Sequence, residues 1–142
     1  MSEERTLEEM YPIGEKQAER VETRGGRRLS ELTLDALVAG DVGQDEFSIT
    51  PAALRLQAGI ARQAGRETLA RNFERAAELT DVPTETIMDV YESLRPGRCR
   101  SKAELQAKAT MMHKQFGATL TAALIEEAAE IYERRGIFRF RF

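Results

Sequence analysis

Several residue types that mark common functional classes are absent or rare in this sequence. It has no tryptophan, one cysteine, one histidine and four prolines among 142 residues. A single cysteine excludes an internal disulfide and a metal site built from cysteine pairs, and this scarcity is typical of a reducing compartment. We therefore expect a cytoplasmic protein.

Long apolar runs and a dominant charge are also missing. No stretch approaches the roughly 18 apolar residues that a membrane-spanning helix needs, and the opening MSEERTLEEMYP lacks the apolar region of a secretory signal. The 21 basic and 24 acidic residues are intermingled and leave a formal net charge of −3. Because such a pattern attracts neither DNA nor an acidic membrane, we predict no nucleic-acid partner and no membrane partner.

The residues that are abundant favour helices with solvated faces. Apolar residues make up 42% of the chain and charged residues 32%. Residues 1–29 are charged and poorly periodic, and we predict that they form an extended N-terminal arm. Residues 30–136 are predicted to form one helical domain, and residues 137–142 a C-terminal tail.

Capping residues, glycines and apolar spacing predict six helices after the arm. Thr50 and Pro51 are suited to the start of a helix. Ser101, with Glu104 three residues later, forms a capping box. The predicted helices lie between Thr33 and Gly40, at 51–64, at about 66–79, from Pro83 to Arg95, from Ser101 to Gly117, and at about 118–135.

Strand-like alternation is confined to the tail, IFRFRF. The predicted fold class is therefore all-α, an irregular or open up-and-down helical bundle with an extended N-terminal arm.

Two surfaces of this chain are predicted to need a partner. The helices at 51–64 and about 118–135 carry apolar arcs wider than one packing face requires. In an extended tail, Phe138, Phe140 and Phe142 share one side, and three exposed phenylalanines are expected to dock on another protein. These features are typical of a subunit.

Two single residues are candidates for catalysis. His113 is three residues after Thr110, so the Glu-x-x-His pairs of a helical di-metal site are absent, and a helix-surface or core-edge histidine is favoured. Cys99 lies between Arg98 and Arg100, an environment that would lower the pKa of its thiol. Since no base and no oxyanion site are recognisable near it, a structural loop cysteine is favoured.

Two charged clusters complete the candidates. Glu126, Glu130 and Glu133 share a helix face and resemble a metal-binding or acid–base array, but without convergent ligands a solvated acidic stripe is favoured. The cluster RGGRR, with Arg24, Arg27 and Arg28, lacks the interleaved aromatic residues of a nucleic-acid site, so local salt bridges on a flexible arm are favoured. We predict no catalytic, cofactor-binding or metal-binding residue.

The central sequence closely resembles a known family. The runs ITPAALRLQAGIARQAGRETLARNFERAAELTDVP and IMDVYESLRPGR resemble the small (gamma) subunit of the adenosylcobalamin-dependent diol and glycerol dehydratases. The similarity continues more weakly over about residues 11–136, from YPIGEKQAERV to EEAAEIYERRG.

The resemblance implies a non-catalytic helical subunit that binds a large TIM-barrel subunit, beside a medium subunit, in a dimer of heterotrimers. It implies that adenosylcobalamin lies between the large and medium subunits and that the substrate and its metal ion lie inside the barrel. A radical reaction there would convert a 1,2-diol into an aldehyde and water. None of these groups is assigned to this chain.

Several family-like residues are expected at the subunit interface instead. Arginine is suited to interfaces because its guanidinium makes bidentate contacts with carboxylates. The residues expected at the interface are Arg55, Arg66, Arg75, Arg95, Phe138, Phe140 and Phe142. Phe73 is expected in the core, because it follows Leu69 and precedes Ala76 at helical spacing.

Two other functions stay open at this point: a free-standing helical adaptor or regulatory protein of the same fold, and an independent enzyme that acts through Cys99. The choice between propane-1,2-diol and glycerol also stays open, since the discriminating groups would lie in the large subunit. Some family members carry a long N-terminal extension associated with a protein-shelled microcompartment. Nine residues precede MYP here, so encapsulation through this chain is not expected.

Overall fold

The computed structural model describes residues 6–138, and the chain divides into two compact units. The first unit ends at Thr80 and the second begins at Asp81. Within the described residues the regular structure is helical, apart from one isolated antiparallel bridge between Glu22 and Arg28. This confirms the all-α fold class. The division into an arm at 1–29, a domain at 30–136 and a tail at 137–142 stays a prediction.

Seven α-helices lie within residues 6–138. The first unit contains α1 (Ile13–Lys16), α2 (Leu34–Ala39), α3 (Pro51–Gln63) and α4 (Glu67–Leu79). The second unit contains α5 (Thr84–Leu94), α6 (Lys102–Phe116) and α7 (Thr119–Arg135). Short 3-10 segments of the first unit lie at Leu7–Met10, Ala18–Arg20, Leu29–Glu31 and Gln44–Phe47. The six predicted helices correspond to α2 through α7.

Side-chain caps explain where two of the long helices begin. Thr50 Oγ1 accepts a hydrogen bond from Ala53 N–H at 3.2 Å at the start of α3. Ser101 Oγ accepts one from Glu104 N–H at 3.2 Å at the start of α6. The carboxylate of Glu104 accepts from Arg100 N–H at 3.3 Å, one residue before the partner that a capping box requires. The predicted capping box is therefore half formed.

Glycines explain where three helices end. Gly40, Gly117 and Gly136 follow α2, α6 and α7 with φ between 64° and 79°. Only glycine adopts this left-handed conformation without steric cost. These helix ends are consequently determined by local sequence.

The RGGRR cluster contacts parts of the first unit that are distant in the sequence. The guanidinium of Arg24 donates to the carbonyl of Thr80 at 2.7 Å, and that of Arg27 donates to the carbonyl of Asp41 at 2.9 Å. These contacts attach the cluster to the rest of its unit, whereas the sequence predicted local salt bridges.

Small side chains form the contact between α3 and α4. Ala58, Ala61 and Ala70 are buried in one cluster, and Leu69 and Phe73 pack against it. Because alanine is short, the two helices can approach closely. Phe73, which was predicted to lie in the core, is half-buried against this cluster.

Helices α6 and α7 form the core of the second unit. Their buried apolar residues are Leu105, Ala109, Met112, Ala122, Ile125 and Ala129. Leu120 and Leu124, by contrast, remain 45% and 38% exposed on α7. One side of the wide apolar arc predicted for α7 therefore lies in the core, and the other side is exposed.

None of the helices between residues 6 and 138 combines the length and the apolar character that crossing a membrane requires.

Two adjacent residues of α7 test this packing. Ile125 is fully buried, so Ile125→Ala should lower the free energy of unfolding by about 2 to 5 kcal/mol. Leu124→Ala should cost clearly less, because Leu124 already contacts water. Urea unfolding followed by circular dichroism measures both changes in the isolated chain. Equal losses would contradict the assignment of the α7 core face.

Candidate interaction surface

The single histidine occupies the surface of α6. His113 is exposed, and its Nδ1 lies 3.3 Å from the hydroxyl oxygen of Thr119. This placement confirms the prediction of a helix-surface histidine. No carboxylate or thiol is among the contacts of its ring in the part of the chain that the structure describes.

Cys99 is a buried loop residue of the second unit. Its side chain is 4% exposed, and its thiol donates to the carbonyl of Ser101 at 3.4 Å. Burial raises the pKa of the Cys99 thiol. The prediction that Arg98 and Arg100 lower this pKa is wrong, because desolvation of the thiolate and the neighbouring carboxylate of Glu104 outweigh the hydrogen bonds from the backbone that favour the thiolate. The position fits a structural cysteine.

The acidic stripe on α7 is partly neutralised by one lysine. Lys102 Nζ lies 2.7 Å from Glu130 Oε1 and 2.6 Å from Glu133 Oε2. These hydrogen bonds raise the pKa of Lys102. Between residues 6 and 138 no three His, Cys, Asp or Glu side chains are arranged to hold a metal ion. The stripe, including the exposed Glu126, therefore fits a solvated charged face.

An apolar groove crosses the first unit. We call it the α3–α4 groove, a cavity of about 490 Å³ lined by Glu8, Tyr11, Ile49, Gln57, Ile60, Ala61, Ala64, Arg66, Leu69 and Phe73. Tyr11 and Ile49 are 56% and 52% exposed there. The 3-10 segment that carries Glu8 is fixed to α3 by a hydrogen bond from Glu8 N–H to Gln63 Oε1, 3.1 Å long.

An ion network lies beside the groove and uses the nearby carboxylates. Arg62 contacts Glu67 at 2.9 Å and Glu74 at 2.8 Å, and Arg71 contacts Glu67 at 3.3 Å. Hydrogen bonds from Arg62 lower the pKa of both carboxyl groups. Because these side chains are largely exposed, the network is expected to orient charge more than to stabilise the fold.

Three of the predicted interface arginines are left outside this network. Within residues 6–138, no ion pair is formed by Arg55, Arg66 or Arg75. Arg66 lines one part of the α3–α4 groove. It also lines a neighbouring shallow recess, which we call the Arg66–Arg75 recess and whose other polar side chains are Glu67, Thr68, Asn72 and Arg75. The structure thus brings two predicted interface residues together.

The other predicted interface residues lie elsewhere. Arg55 is exposed on α3 and lines neither the groove nor the recess. Arg95 belongs to the second unit and pairs with Glu92 at 2.9 Å, which raises the pKa of Arg95. Phe138 is half-buried, with its ring edge-on to Tyr132 at a centroid distance of 6.0 Å. Phe140 and Phe142 lie outside the described residues.

Tyr11 and Ile49 are groove residues that the sequence did not reveal. Each lies outside an α-helix, so helical spacing carries no information about its exposure. Both reach the groove only because loops bring them to α3 and α4. The resulting surface combines apolar side chains with guanidinium groups that form no ion pair within residues 6–138, an arrangement suited to binding a protein.

Comparison with known proteins covers nearly the whole chain. The family model "Dehydratase small subunit" matches residues 6–139. The propanediol dehydratase small subunits of Citrobacter freundii and Salmonella typhimurium (strain LT2) are each 44% identical to this chain over 125 residues. Each alignment covers 88% of this chain and 72% of the relative. The similarity therefore extends through both units.

The Arg62 network predicts a pH dependence. Because the pKa of Glu74 is lowered from its ordinary value of 4.5, the pairing stabilises the folded chain above pH 4.5, and this contribution is lost as the pH falls through the folded pKa. Arg62→Gln should raise the pKa of Glu74 in an NMR titration and weaken the loss of stability on acidification. Arg55→Gln removes an unpaired arginine and serves as the control. Unchanged titration of Glu74 in Arg62→Gln would contradict the network.

Burial of Cys99 predicts low reactivity. A thiol reagent such as dithiobis(nitrobenzoate) should react with the folded chain at less than about one tenth of its rate with the urea-unfolded chain. The reason is that burial disfavours the reactive thiolate. The absorbance of the released nitrothiobenzoate measures the rate of the reaction. Rapid labelling of folded protein would show that the thiol is accessible and would revive a catalytic role for Cys99.

Proposed function

The chain belongs to the dehydratase small-subunit family, and on this premise we propose that it is the non-catalytic small subunit of a cobalamin-dependent 1,2-diol dehydratase. The observation that carries the proposal is the family match over residues 6–139. Both relatives are named propanediol dehydratase subunits, so we assign propane-1,2-diol to the assembled enzyme and keep glycerol as the alternative substrate. The enzyme would be a lyase that forms an aldehyde and water by a radical mechanism.

The proposed partners are a large TIM-barrel subunit, bound directly, and a medium subunit, in a cytoplasmic dimer of heterotrimers. Exposed apolar side chains on both units support a subunit role. Leu34 and Val38 on α2 are 74% and 80% exposed, and Met88 and Tyr91 on α5 are 52% and 58% exposed. A partner that covers such residues removes apolar surface from water, which favours association.

We assign adenosylcobalamin to the other subunits, because within residues 6–138 the single histidine lines neither the α3–α4 groove nor the Arg66–Arg75 recess. A cobalt ligand would need a donor held towards a cavity, whereas His113 lies exposed on α6 beside Thr119. The α3–α4 groove is lined mainly by apolar side chains, with Glu8 and Arg66 as its charged residues. We therefore derive no step of the reaction through the cofactor on this chain.

The proposed contribution of this chain is to hold the large subunit in its assembled form. A partner that binds only the folded state of another protein shifts the folding equilibrium of that protein by mass action. The small subunit would thereby raise the amount of active large subunit without contacting the substrate. The alternative is a free-standing helical adaptor with the same fold.

Co-expression tests this proposal. A tagged copy of this chain should retain the large and medium subunits, and omission of the chain should lower both the soluble large subunit and the propanediol dehydratase activity measured with added adenosylcobalamin. If the tagged chain retains no large subunit and its omission leaves activity unchanged, the proposed function fails.

Two variants test the non-catalytic role in the same holoenzyme. Cys99→Ser and His113→Ala replace the two residues that were considered as catalysts, and both enzymes should match the wild-type turnover number per assembled large subunit. A loss of turnover with intact assembly would show that this chain contributes a catalytic group.

A further inference from the structure

We propose that the α3–α4 groove, together with the Arg66–Arg75 recess, binds an acidic segment of the large subunit that also carries apolar side chains. This inference rests on the proposed function, because it identifies how the small subunit recognises its partner. It assigns a binding role to Tyr11 and Ile49, which neither spacing nor composition indicates.

The apolar lining of the groove indicates that the bound segment carries apolar side chains. Tyr11 and Ile49 are more than half exposed at the groove, while Leu69 and Phe73 are half-buried in its wall. These four side chains come from two loops and one helix, so they form a continuous apolar surface only in the folded unit. A bound apolar side chain would remove this surface from water.

The charges beside the groove indicate that the bound segment also carries acidic side chains. Glu67 lines the Arg66–Arg75 recess, but its carboxylate is engaged by Arg62 and Arg71, and that of Glu74 by Arg62. Arg66 and Arg75, by contrast, form no ion pair within residues 6–138. Guanidinium groups at an interface are best matched by carboxylates. An acidic segment is therefore complementary to the Arg66–Arg75 recess.

A single carboxylate gives the groove a polarity. Glu8 lines the groove together with Arg66, and it belongs to the 3-10 segment that packs on α3. A bound segment consequently places its acidic residues towards Arg66 and Arg75 and not towards Glu8. The charges of the groove thus favour one placement of the acidic residues of the segment over the reverse placement.

Charge also argues against the C-terminal tail of this chain as the occupant. The tail IFRFRF supplies phenylalanines but contains Arg139 and Arg141 and no acidic residue. Repulsion between these arginines and those of the recess disfavours that binding mode. An acidic partner segment satisfies both the apolar and the charged requirement.

Photo-crosslinking in the assembled enzyme tests the occupant directly. Tyr11 is replaced by p-benzoylphenylalanine, an aromatic residue of similar shape, and Val38 is replaced in the same way as a control that is exposed in the same unit but does not line the groove. After irradiation of the enzyme with the probe at position 11, mass spectrometry should identify a crosslinked large-subunit peptide. This peptide should contain both apolar and acidic residues. The Val38 probe should not label that peptide.

Charge reversal supplies a second, independent measurement. Arg66→Glu combined with Arg75→Glu should weaken binding to the large subunit by about tenfold or more at low salt, and added salt should reduce this difference. Arg134→Glu combined with Arg135→Glu makes the same total change of charge at two exposed residues of the second unit and should weaken binding by less than about threefold. Circular dichroism of each free variant verifies that its helices are intact.

The outcomes separate this inference from the proposed function. If the unmodified chain binds no large subunit, the proposed function fails. If assembly is normal but the Tyr11 probe labels the medium subunit, a second copy of this chain or no protein, only the groove assignment is overturned. Equal weakening by the Arg134→Glu and Arg135→Glu double variant and by the recess variant would show that non-specific charge, not the recess, governs binding.

Discussion

Within each of the two units, close contacts between helix faces that carry alanine form the core. In the first unit, Ala58, Ala61 and Ala70 form the cluster between α3 and α4, and in the second, Ala122 and Ala129 flank the buried face of α7. A short side chain permits close approach of two helices but removes little apolar surface from water. Each unit is therefore compact while many of its larger apolar residues remain available.

The distribution of large side chains follows from these small contacts. Leu34, Val38, Ile49, Tyr91 and Leu120 are all at least 45% exposed. In a chain that functions alone, such residues would promote aggregation, whereas in a subunit they supply contact area. Small interior residues thus allow the helices to pack closely, and they also leave larger apolar residues on the surface, where a partner can cover them.

Charge has a different role from apolar surface in the candidate interface. Arg62 and Arg71 pair with the carboxylates of α4, so these residues leave no net attraction for a partner. Arg66 and Arg75 keep their guanidinium groups outside the network. Association energy would then come mainly from covered apolar area, and orientation from the two free arginines.

The sequence alone determined helices α2 to α7 and the family, because both depend on local or linear information, whereas the periodicity of residues 1–29 did not indicate the short helix α1. Caps, prolines and glycines such as Thr50, Pro83 and Gly117 act within a few residues, and the family match spans most of the chain. Tertiary structure alone decided which arginines are paired and where the groove lies. Tyr11, Ile49 and Phe73 are distant in the sequence, and only folding makes them neighbours. Burial likewise reversed the expected pKa shift of Cys99, since desolvation depends on packing that no local motif specifies.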